Sequence, residues 1–338
     1  MRHETLVVKV DPSNPEKEAI TQAAEIIRRG GLVAFPTETV YGLGADALNP
    51  EAVRGIFLAK GRPLDNPIIV HVAELEHLRI LTEDIGAEAA TLMERFWPGP
   101  LTLLFKRSAR VPQDVTAGQE TVAVRMPKNK VALALIRAFG GPIAAPSANL
   151  SGRPSGTTAI HVFQDLGGKI DLVLDTGPVE VGVESTVLDI STHPPTILRP
   201  GAVTVEQLEP ILGEVVLGKE RQLLRRSPGT RYRHYSPKAG VILVEEDNKE
   251  RVAQLMEQYT KEGRKVGVIT RHPHFYQSNK KVIVKAMPPE LKEYARQMFA
   301  VIRELDEEGV DQIIVEEVEE KGIGIAIMDR LRRAASNK

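Results

Sequence analysis

Residues 59–71, AKGRPLDNPIIVH, combine two cations with two prolines in one short stretch. Arginine offers a planar set of N–H donors and lysine a compact charge, and both suit carboxylate or phosphate groups. The prolines stiffen the loop, which lowers the entropy lost when the cations are held in place. Lys60 and Arg62 are therefore candidates for an anion site, with Asn66 and His71 beside them. A solvated surface loop, and for His71 a hydrogen-bonded core position, are the alternatives.

A second candidate loop, APSANLSG at residues 145–152, follows a predicted strand and is rich in hydroxyl and amide groups. Such a loop, placed ahead of the predicted helix 157–166, can surround a phosphate with N–H groups and hydroxyls. Ser147, Asn149 and Ser155 are the candidates in this region. Helix capping and an ordinary turn are the alternative interpretation, since serine and threonine are common N-caps.

Other polar residues occur at the ends of further predicted strands. PTETVYGLGAD at residues 36–46 supplies the hydroxyl of Thr37, although this stretch taken alone predicts a turn. Ser185 begins one strand and Arg199 ends another, while Arg125 alternates with valines in TVAVRM. An arginine that points inward from such a strand requires an anionic partner. Because ligands of open α/β sheets bind beyond strand ends, these groups together indicate one site for a ligand with phosphates and a carboxylate.

Composition narrows the class of protein. The chain has 338 residues, a net charge of -1 and no cysteine. It therefore lacks disulfides, thiolate nucleophiles and cysteine-ligated metal sites, and it is not a strongly basic nucleic-acid-coating protein. The N-terminus has no signal-peptide core, and no apolar run reaches the ~20 residues of a membrane span, so we expect a cytoplasmic protein without a membrane partner. P-loop, GxGxxG, HExxH and GxSxG motifs are absent.

The predicted elements alternate between strands and helices, with several neighbouring strands late in the first part, which favours a mixed α/β sheet. Composition changes near residue 218, where RQLLRRSPGTRYRHYSPK carries arginines and prolines but no acid. We predict a catalytic domain at 1–217, an Arg-rich linker at 218–239 and a smaller α/β domain at 240–338, Rossmann-like in size.

Several motifs, taken together in order, resemble the YrdC-like threonylcarbamoyl-AMP synthase family in its long, two-domain form. They are FPTETVYGLG, KGRP, FWPGPLT (96–102), VAVRMP (122–127), APSAN, ESTV, LRPGAV and the linker SPGTRYRHYSPK. The linker has Thr230 where methionine is common. The resemblance implies a YrdC-like mixed twisted sheet followed by a Rossmann-like domain. It also implies synthesis of threonylcarbamoyl-AMP and pyrophosphate from L-threonine, bicarbonate and ATP, the first step of threonylcarbamoyl modification of adenosine-37 in tRNAs that read ANN codons.

The resemblance also implies roles for individual residues. L-threonine and its carbamate would be held by Thr37, His71, Arg125 and Ser185. ATP would be held by Lys60, Arg62, Asn66, Ser147, Asn149, Ser155 and Arg199, with further contacts from Thr121, the backbone of Ala145, and Tyr235 of the linker. Lys60 and Arg62 are the predicted catalytic residues, because an anion that attacks a polyanion needs charge neutralisation and alignment. Mg2+ is expected with ATP, bound through phosphates and water, and we name no general base.

Three alternatives differ in class from this prediction. The chain could be an RNA-binding module without adenylate synthesis, which would show salt-sensitive RNA affinity and no ATP turnover. A carbamoyl-adenylate enzyme of hydrogenase maturation is disfavoured by the lack of cysteine, and a regulatory scaffold would leave the loops as plain turns. For the synthase, we expect delivery of the product to a separate tRNA-modifying complex, a weak contact with RNA, and a linker that acts as a lid positioned by the C-terminal domain.

Overall fold

A computed structural model describes residues 4–218, 225–228 and 235–336 of the chain. The described residues separate into two compact units. The first unit contains residues 4–151, 155–180, 184–218 and 225–228. The second contains 152–154, 181–183 and 235–336, so two short segments from the middle of the chain belong to it. The boundaries proposed from composition stay predictions.

The first unit is a mixed sheet with helices. Its elements are β1 (Leu6–Lys9), α1 (Lys17–Arg28), β2 (Val33–Phe35), β3 (Gly42–Asp46), α2 (Pro50–Lys60), β4 (Ile69–His71), α3 (Leu75–Leu81), α4 (Ala87–Phe96), β5 (Leu101–Lys106), α5 (Gln113–Thr116), β6 (Thr121–Arg125), α6 (Lys130–Phe139), β7 (Ile143–Ala144), α7 (Ala159–Leu166), β8 (Leu172–Asp175), β9 (Thr186–Asp189), β10 (Thr196–Arg199), α8 (Val205–Leu212) and β11 (Val216–Leu217). The strand order is β1-β8-β2-β3-β7-β4-β6-β5-β9-β10-β11. Parallel and antiparallel neighbours both occur, which confirms the predicted mixed sheet.

Local sequence explains where the helix beside the opening loop begins and ends. The Asn49 side chain accepts hydrogen bonds from two backbone N–H groups of the first turn of α2, and Pro50 follows it at the first helical position. Gly61 ends the helix with a φ of 60°, a left-handed conformation that glycine adopts without steric cost. The chain therefore leaves α2 sharply, directly after Lys60.

The prediction of a turn over residues 36–46 was wrong for its second half, which forms β3. Glycine is unfavourable in strands, and GLGAD accordingly does not suggest one. Close packing explains the glycine. A Cβ atom on Gly44 would lie 2.7 Å from the Phe35 ring and 3.0 Å from the Ile143 side chain. The strand forms here because its neighbours fill the space that a side chain would occupy.

Strand alternation divides the core of the first unit into two faces. On one face, Phe35 and Ile143 pack with α1 and α6. On the opposite face, Val70 and Val124 pack with α2, α3 and α4. His71 pairs with Ile143 in the ladder between β4 and β7, so its side chain points to the same face as α1 and α6.

The second unit is a parallel sheet with helices, as the pattern predicted. Its elements are β12 (Gly240–Val244), α9 (Lys249–Lys261), β13 (Val266–Thr270), a 3-10 turn (Pro273–Phe275), β14 (Val282–Ala286), α10 (Leu291–Glu307), β15 (Gln312–Glu316) and α11 (Gly324–Ala335). The strand order is β12-β15-β13-β14, and all three pairings are parallel. In neither unit is any described helix long and apolar enough to cross a membrane.

Candidate active site

Several predicted ligand residues lie on one face of the large sheet because of strand register. β4 and β6 run parallel, with Ile69 opposite Ala123 and His71 opposite Arg125. Side chains two residues apart share a face, so Thr121 also lies on it, at the other end of β6. Four residues of strand separate Thr121 from Arg125, which is about 13 Å. The face therefore has one end with His71 and Arg125, which are predicted to hold L-threonine, and a second end with Thr121, which is predicted to contact ATP.

The same face continues across β5 and β9. Leu104 lies opposite Ala123, and Thr102 lies opposite Val187, which places Thr102 and Ser185 on it as well. A small apolar cluster forms the floor of this region; it consists of Ile69, Leu104, Ala123, Val187 and Leu198. Polar residues at the ends of four adjacent strands thus border one apolar floor, an arrangement typical of small-molecule sites.

Arg125 has the anionic partner that its position required. Its guanidinium lies 2.6 Å from the Glu38 carboxylate, and the side chains of both residues are almost fully buried. It also donates to Thr39 Oγ1 at 2.8 Å and to the Gly99 carbonyl at 3.1 Å. Arginine has five N–H donors. These three interactions fix the plane of the guanidinium and leave donors for a ligand carboxylate.

His71 is buried and neutral at physiological pH. Burial, together with a smaller contribution from the nearby Arg125 guanidinium, lowers the pKa of its imidazole to about 3. The ring packs edge-on against Phe35, with 6.0 Å between ring centroids. Its Nδ1 atom has no hydrogen-bond partner among the described residues. A buried polar atom without a partner is uncommon, and it marks a position where a ligand can bind.

Thr37 forms a tight turn with its own hydroxyl. This oxygen accepts hydrogen bonds from the backbone N–H groups of Thr39 and Val40 and donates to the Val40 carbonyl. One donor and two acceptor positions are all that a hydroxyl has. The predicted contact with L-threonine therefore stays a prediction, and a contact through the Thr37 hydroxyl would require the turn to change.

The two cations of the opening loop are buried rather than solvated. Lys60 is 2 % exposed and Arg62 is 9 % exposed, so the surface-loop alternative was wrong for these two side chains, although Leu64 of the same loop is 59 % exposed. Lys60 donates to the carbonyls of Ser147 and Asn149, and thereby joins the end of α2 to the APSAN loop. Arg62 donates to the carbonyls of Asn66 and Pro67 within its own loop. Both cations stabilise the loops that carry the other candidates.

The Asn66 side chain is the clearest position in the site for hydrogen bonds to a ligand. It is fully buried, and neither its Oδ1 nor its Nδ2 atom has a hydrogen-bond partner among the described residues. A buried amide whose oxygen and nitrogen both lack hydrogen bonds destabilises the folded state by several kcal/mol in total. A site that holds such an amide in place is suited to a ligand that supplies both a donor and an acceptor.

The APSAN region supplies backbone groups more than side chains. The Ala145 N–H donates to the Ile69 carbonyl at 2.9 Å, so a nucleotide contact there would use the Ala145 carbonyl. The Asn149 amide nitrogen donates to the Leu150 carbonyl. Ser155 is fully buried and donates its hydroxyl proton to the Glu184 carboxylate at 2.5 Å. The predicted ATP contacts of these residues are compatible with this arrangement and stay predictions.

Arg199 and Ser185 are in direct contact. Arg199 donates to the Ser185 carbonyl at 2.9 Å and to its hydroxyl at 3.1 Å. It also donates to the carbonyl of Pro228, in the described stretch 225–228 of the predicted linker. Within the predicted linker, residues 219–224 and 229–234 lie outside the described residues, and Thr230 is among them.

Tyr235 belongs to the second unit. Its ring stacks on Phe299, with 5.3 Å between centroids, and it has a φ of 63°, which is unusual for a residue other than glycine. Its predicted contact with the nucleotide stays a prediction.

Four polar residues without a predicted role contact the candidate residues: Glu38, Thr39, Thr102 and Glu184. Each lies inside a motif that the sequence analysis quoted, so proximity to the motif was a usable signal. Their roles depend on contacts across 29 to 90 positions of the chain, which a linear pattern does not contain.

The chain is similar to known proteins over nearly its whole length. Residues 25–201 match a family model of Sua5, YciO and YrdC proteins that is described as "Telomere recombination", and residues 203–336 match one described as "Threonylcarbamoyl-AMP synthase, C-terminal domain". The chain is 48 % identical to the threonylcarbamoyl-AMP synthase of Pyrococcus abyssi, over 95 % of both chains. It is 47 % identical to that of Bacillus subtilis, over 94 % of this chain and 93 % of the other. The crystal structure of Pyrococcus abyssi Sua5 complexed with L-threonine superimposes with a TM-score of 0.92 over 98 % of each chain, at 46 % identity.

Proposed function

We propose that this chain, which belongs to the threonylcarbamoyl-AMP synthase family, makes threonylcarbamoyl-AMP and pyrophosphate from L-threonine, bicarbonate and ATP. Its full-length relatives carry this synthase name, and the solved relative binds L-threonine. Both family models are matched in the expected order along the chain.

The observation that carries the proposal is the shared sheet face of His71, Thr121, Arg125 and Ser185. A carboxylate substrate fits the Arg125 end, where donors of a fixed guanidinium are open. A longer, polyanionic substrate fits the remainder, since Arg199 lies at one side and the open Asn66 amide lies just before β4. The separation of about 13 Å along β6 suits a molecule as long as an aminoacyl-type adenylate.

The residue chemistry is consistent with adenylate formation. Threonine and bicarbonate give an N-carboxylate and a molecule of water, and one oxygen of the N-carboxylate then attacks the α-phosphorus of ATP while pyrophosphate leaves. The step needs orientation and neutralisation of negative charge more than a protein nucleophile. In this proposal Lys60 and Arg62 act chiefly by holding the phosphate-binding loops, because the structure directs both cations to loop carbonyls. His71, neutral at physiological pH, would hydrogen-bond to the amino acid without adding charge.

Magnesium would enter with ATP. No group of three or more histidine or acidic side chains with metal-site geometry occurs among residues 4–218, 225–228 and 235–336. In this proposal the ion is held by phosphate oxygens and water, which is the usual situation for Mg2+ with nucleotides. When bound, the ion would neutralise phosphate charge.

The remaining assignments follow from the proposed reaction. The product would pass to a separate complex that modifies adenosine-37 of tRNA, with at most a weak contact between this chain and RNA. A cytoplasmic location and a lid role for residues 218–239 stay predictions. The alternative, an RNA-binding module without synthesis, gives no account of the buried Arg125–Glu38 pair or of the open Asn66 amide.

The test is pyrophosphate release from ATP. We expect release that depends on both L-threonine and bicarbonate, and formation of threonylcarbamoyl-AMP detectable by mass spectrometry. L-serine in place of L-threonine serves as a matched control for amino-acid selectivity. Folded protein that binds tRNA but releases no pyrophosphate would replace the synthase proposal with the RNA-binding alternative.

A further inference from the structure

The Ser185 hydroxyl is a junction between two other polar side chains. Its oxygen lies 2.8 Å from Thr102 Oγ1 and 3.1 Å from Arg199 Nη2. Ser185 and Thr102 are both fully buried, and Arg199 is 5 % exposed. Thr102 lies in FWPGPLT, a motif that the site assignments otherwise leave without a role.

A count of donors and acceptors limits how these hydroxyls are oriented. The Ser185 oxygen has two acceptor positions and one proton, and Arg199 fills one acceptor position. If Thr102 donates, both acceptor positions are filled and the Ser185 proton is available to a ligand. If Ser185 donates instead, the Thr102 proton has no acceptor, because Ser185 is its only hydrogen-bond partner in the described part of the chain.

We propose that Thr102 is a positioning residue, which donates its hydroxyl proton to Ser185 and so directs the Ser185 proton to a carboxylate or carbamate oxygen of the bound amino acid. The inference rests on the proposed function, since it places L-threonine at Ser185. A ligand oxygen that accepts this proton selects the first arrangement, in which both hydroxyl protons are used. The arrangement also joins Ser185 to Arg199, so the amino-acid position and the predicted ATP position share one hydrogen-bonded chain.

The principal test replaces Thr102 by valine, which keeps the branched shape and removes the hydroxyl. We expect the KM for L-threonine to rise about tenfold, the effect of one lost oriented hydrogen bond, while the KM for ATP changes less than twofold. Thr102→Ser, which restores the hydroxyl, should return the threonine KM to within about twofold of the parent value. In a Ser185→Ala background, Thr102→Val should cause little further change, because the hydroxyl it orients is already gone.

Thr186→Val is the matched control. Thr186 is also fully buried, but its hydroxyl donates to the Val203 carbonyl and accepts from the Val203 N–H. We expect this variant to lower the melting temperature without a selective effect on threonine. If Thr102→Val does not fold, Thr102→Cys gives the same test, since it retains a side chain of similar size with a much weaker donor.

Direct binding separates this inference from the proposed function. Calorimetric titration with L-threonine alone should show about tenfold weaker binding to Thr102→Val than to the parent protein. A parent protein that binds threonine without releasing pyrophosphate contradicts the proposed function and leaves the Thr102 comparison intact. An unchanged threonine affinity in Thr102→Val, or equal losses in the valine and serine variants, overturns the positioning role.

Discussion

In the first unit, the parallel strands β4 and β6 end side by side on His71 and Arg125; in the second unit, β13 and β15 end near one another on Thr270 and Glu316. All four residues are at least nine-tenths buried. Strand ends of this kind are the usual location of ligand sites in α/β proteins. Position in the fold therefore does not distinguish the two pairs.

Hydrogen bonding does distinguish them. The Glu316 carboxylate accepts from the Thr270 hydroxyl through one oxygen and from the Tyr276 hydroxyl through the other. In the first unit, His71 Nδ1 and both amide atoms of Asn66 have no partner among the described residues. Buried polar groups that are satisfied internally contribute to stability, whereas open ones are suited to a ligand. This difference predicts ligand binding at the first pair of strand ends and a structural role for the second pair.

Removal of Arg125 should have the largest effect, because this residue pairs with Glu38 and is also predicted to bind the substrate carboxylate. Arg125→Met alone leaves the Glu38 carboxylate buried without its cation, which should cost about 3 kcal/mol or more in the free energy of unfolding. The double variant Arg125→Met/Glu38→Gln should recover most of that loss. Both variants should lose at least about a hundredfold in kcat/KM for L-threonine.

Urea denaturation and threonine titration of pyrophosphate release measure the two effects separately. If the double variant is stable and keeps the parent kcat/KM for L-threonine, Arg125 is a structural residue. The strand ends at His71 and Arg125 then have a structural role like those at Thr270 and Glu316. If the double variant is no more stable than the single one, the Glu38 pair is not the source of the destabilisation.

Asn66→Leu tests whether the unpaired Asn66 amide binds ATP. Leucine matches the volume of asparagine approximately and needs no hydrogen bonds, so we expect the free energy of unfolding to stay the same or to increase. ATP affinity should fall about thirtyfold, the combined effect of two lost hydrogen bonds. Equilibrium binding of ATP to the folded variant, with Asn149→Leu for comparison within the APSAN loop, measures this. A variant that loses stability and keeps ATP affinity would show that Asn66 is a structural amide.

The sequence predicts helices and strands better than it predicts the side-chain contacts between them. Helix α2 follows from Asn49, Pro50 and Gly61, and the alternation of valines around Arg125 predicts a buried strand. The anionic partner of Arg125 was predicted as a requirement, and Glu38 confirms it, but nothing in the sequence selects Glu38 from the other acids. That choice depends on the way β2 and β6 are ordered in the sheet, a property of long-range pairing.

The sequence also does not predict that the Asn66 amide is buried without hydrogen-bond partners. Asparagine is common in loops between prolines, where it usually bonds to its own backbone. Only the path of the loop, fixed by Arg62 through its bonds to the carbonyls of Asn66 and Pro67, leaves the amide buried and open. The loop's composition made Asn66 a candidate and the family resemblance assigned it to ATP, but neither predicted a buried amide without hydrogen-bond partners.

Burial of His71 makes the free energy of unfolding depend on pH. The imidazole pKa falls from 6.5 to about 3 in the folded state, mainly through burial. Between these values the unfolded chain binds a proton that the folded chain does not, so stability decreases as the pH falls through this window and levels off below it. We expect a loss of about 1.4 kcal/mol per pH unit from this residue alone.

Urea denaturation of the parent protein and of His71→Gln between pH 7.5 and 5 measures that slope. The variant should show a slope smaller by about this amount. His77→Gln is a control, because the pKa of His77 is also lowered by burial but Glu74 and Glu76 oppose the shift. Parallel stability curves for the parent and His71→Gln would mean that His71 takes a proton in the folded state, contrary to its buried, uncharged assignment.

Tyr276→Phe tests the satisfied strand end of the second unit and carries the smallest expected effect. It removes one hydroxyl donor from the buried Glu316 carboxylate and leaves Thr270 in place, which should lower the free energy of unfolding by about 1.5 kcal/mol. Because no ligand is assigned to this strand end, kcat and both KM values should change less than twofold. Thermal denaturation and steady-state assays of the same preparation provide the two numbers. A variant that keeps its stability but loses activity would place a functional role at Glu316, and the contrast between open and satisfied strand ends would then no longer separate binding from structure.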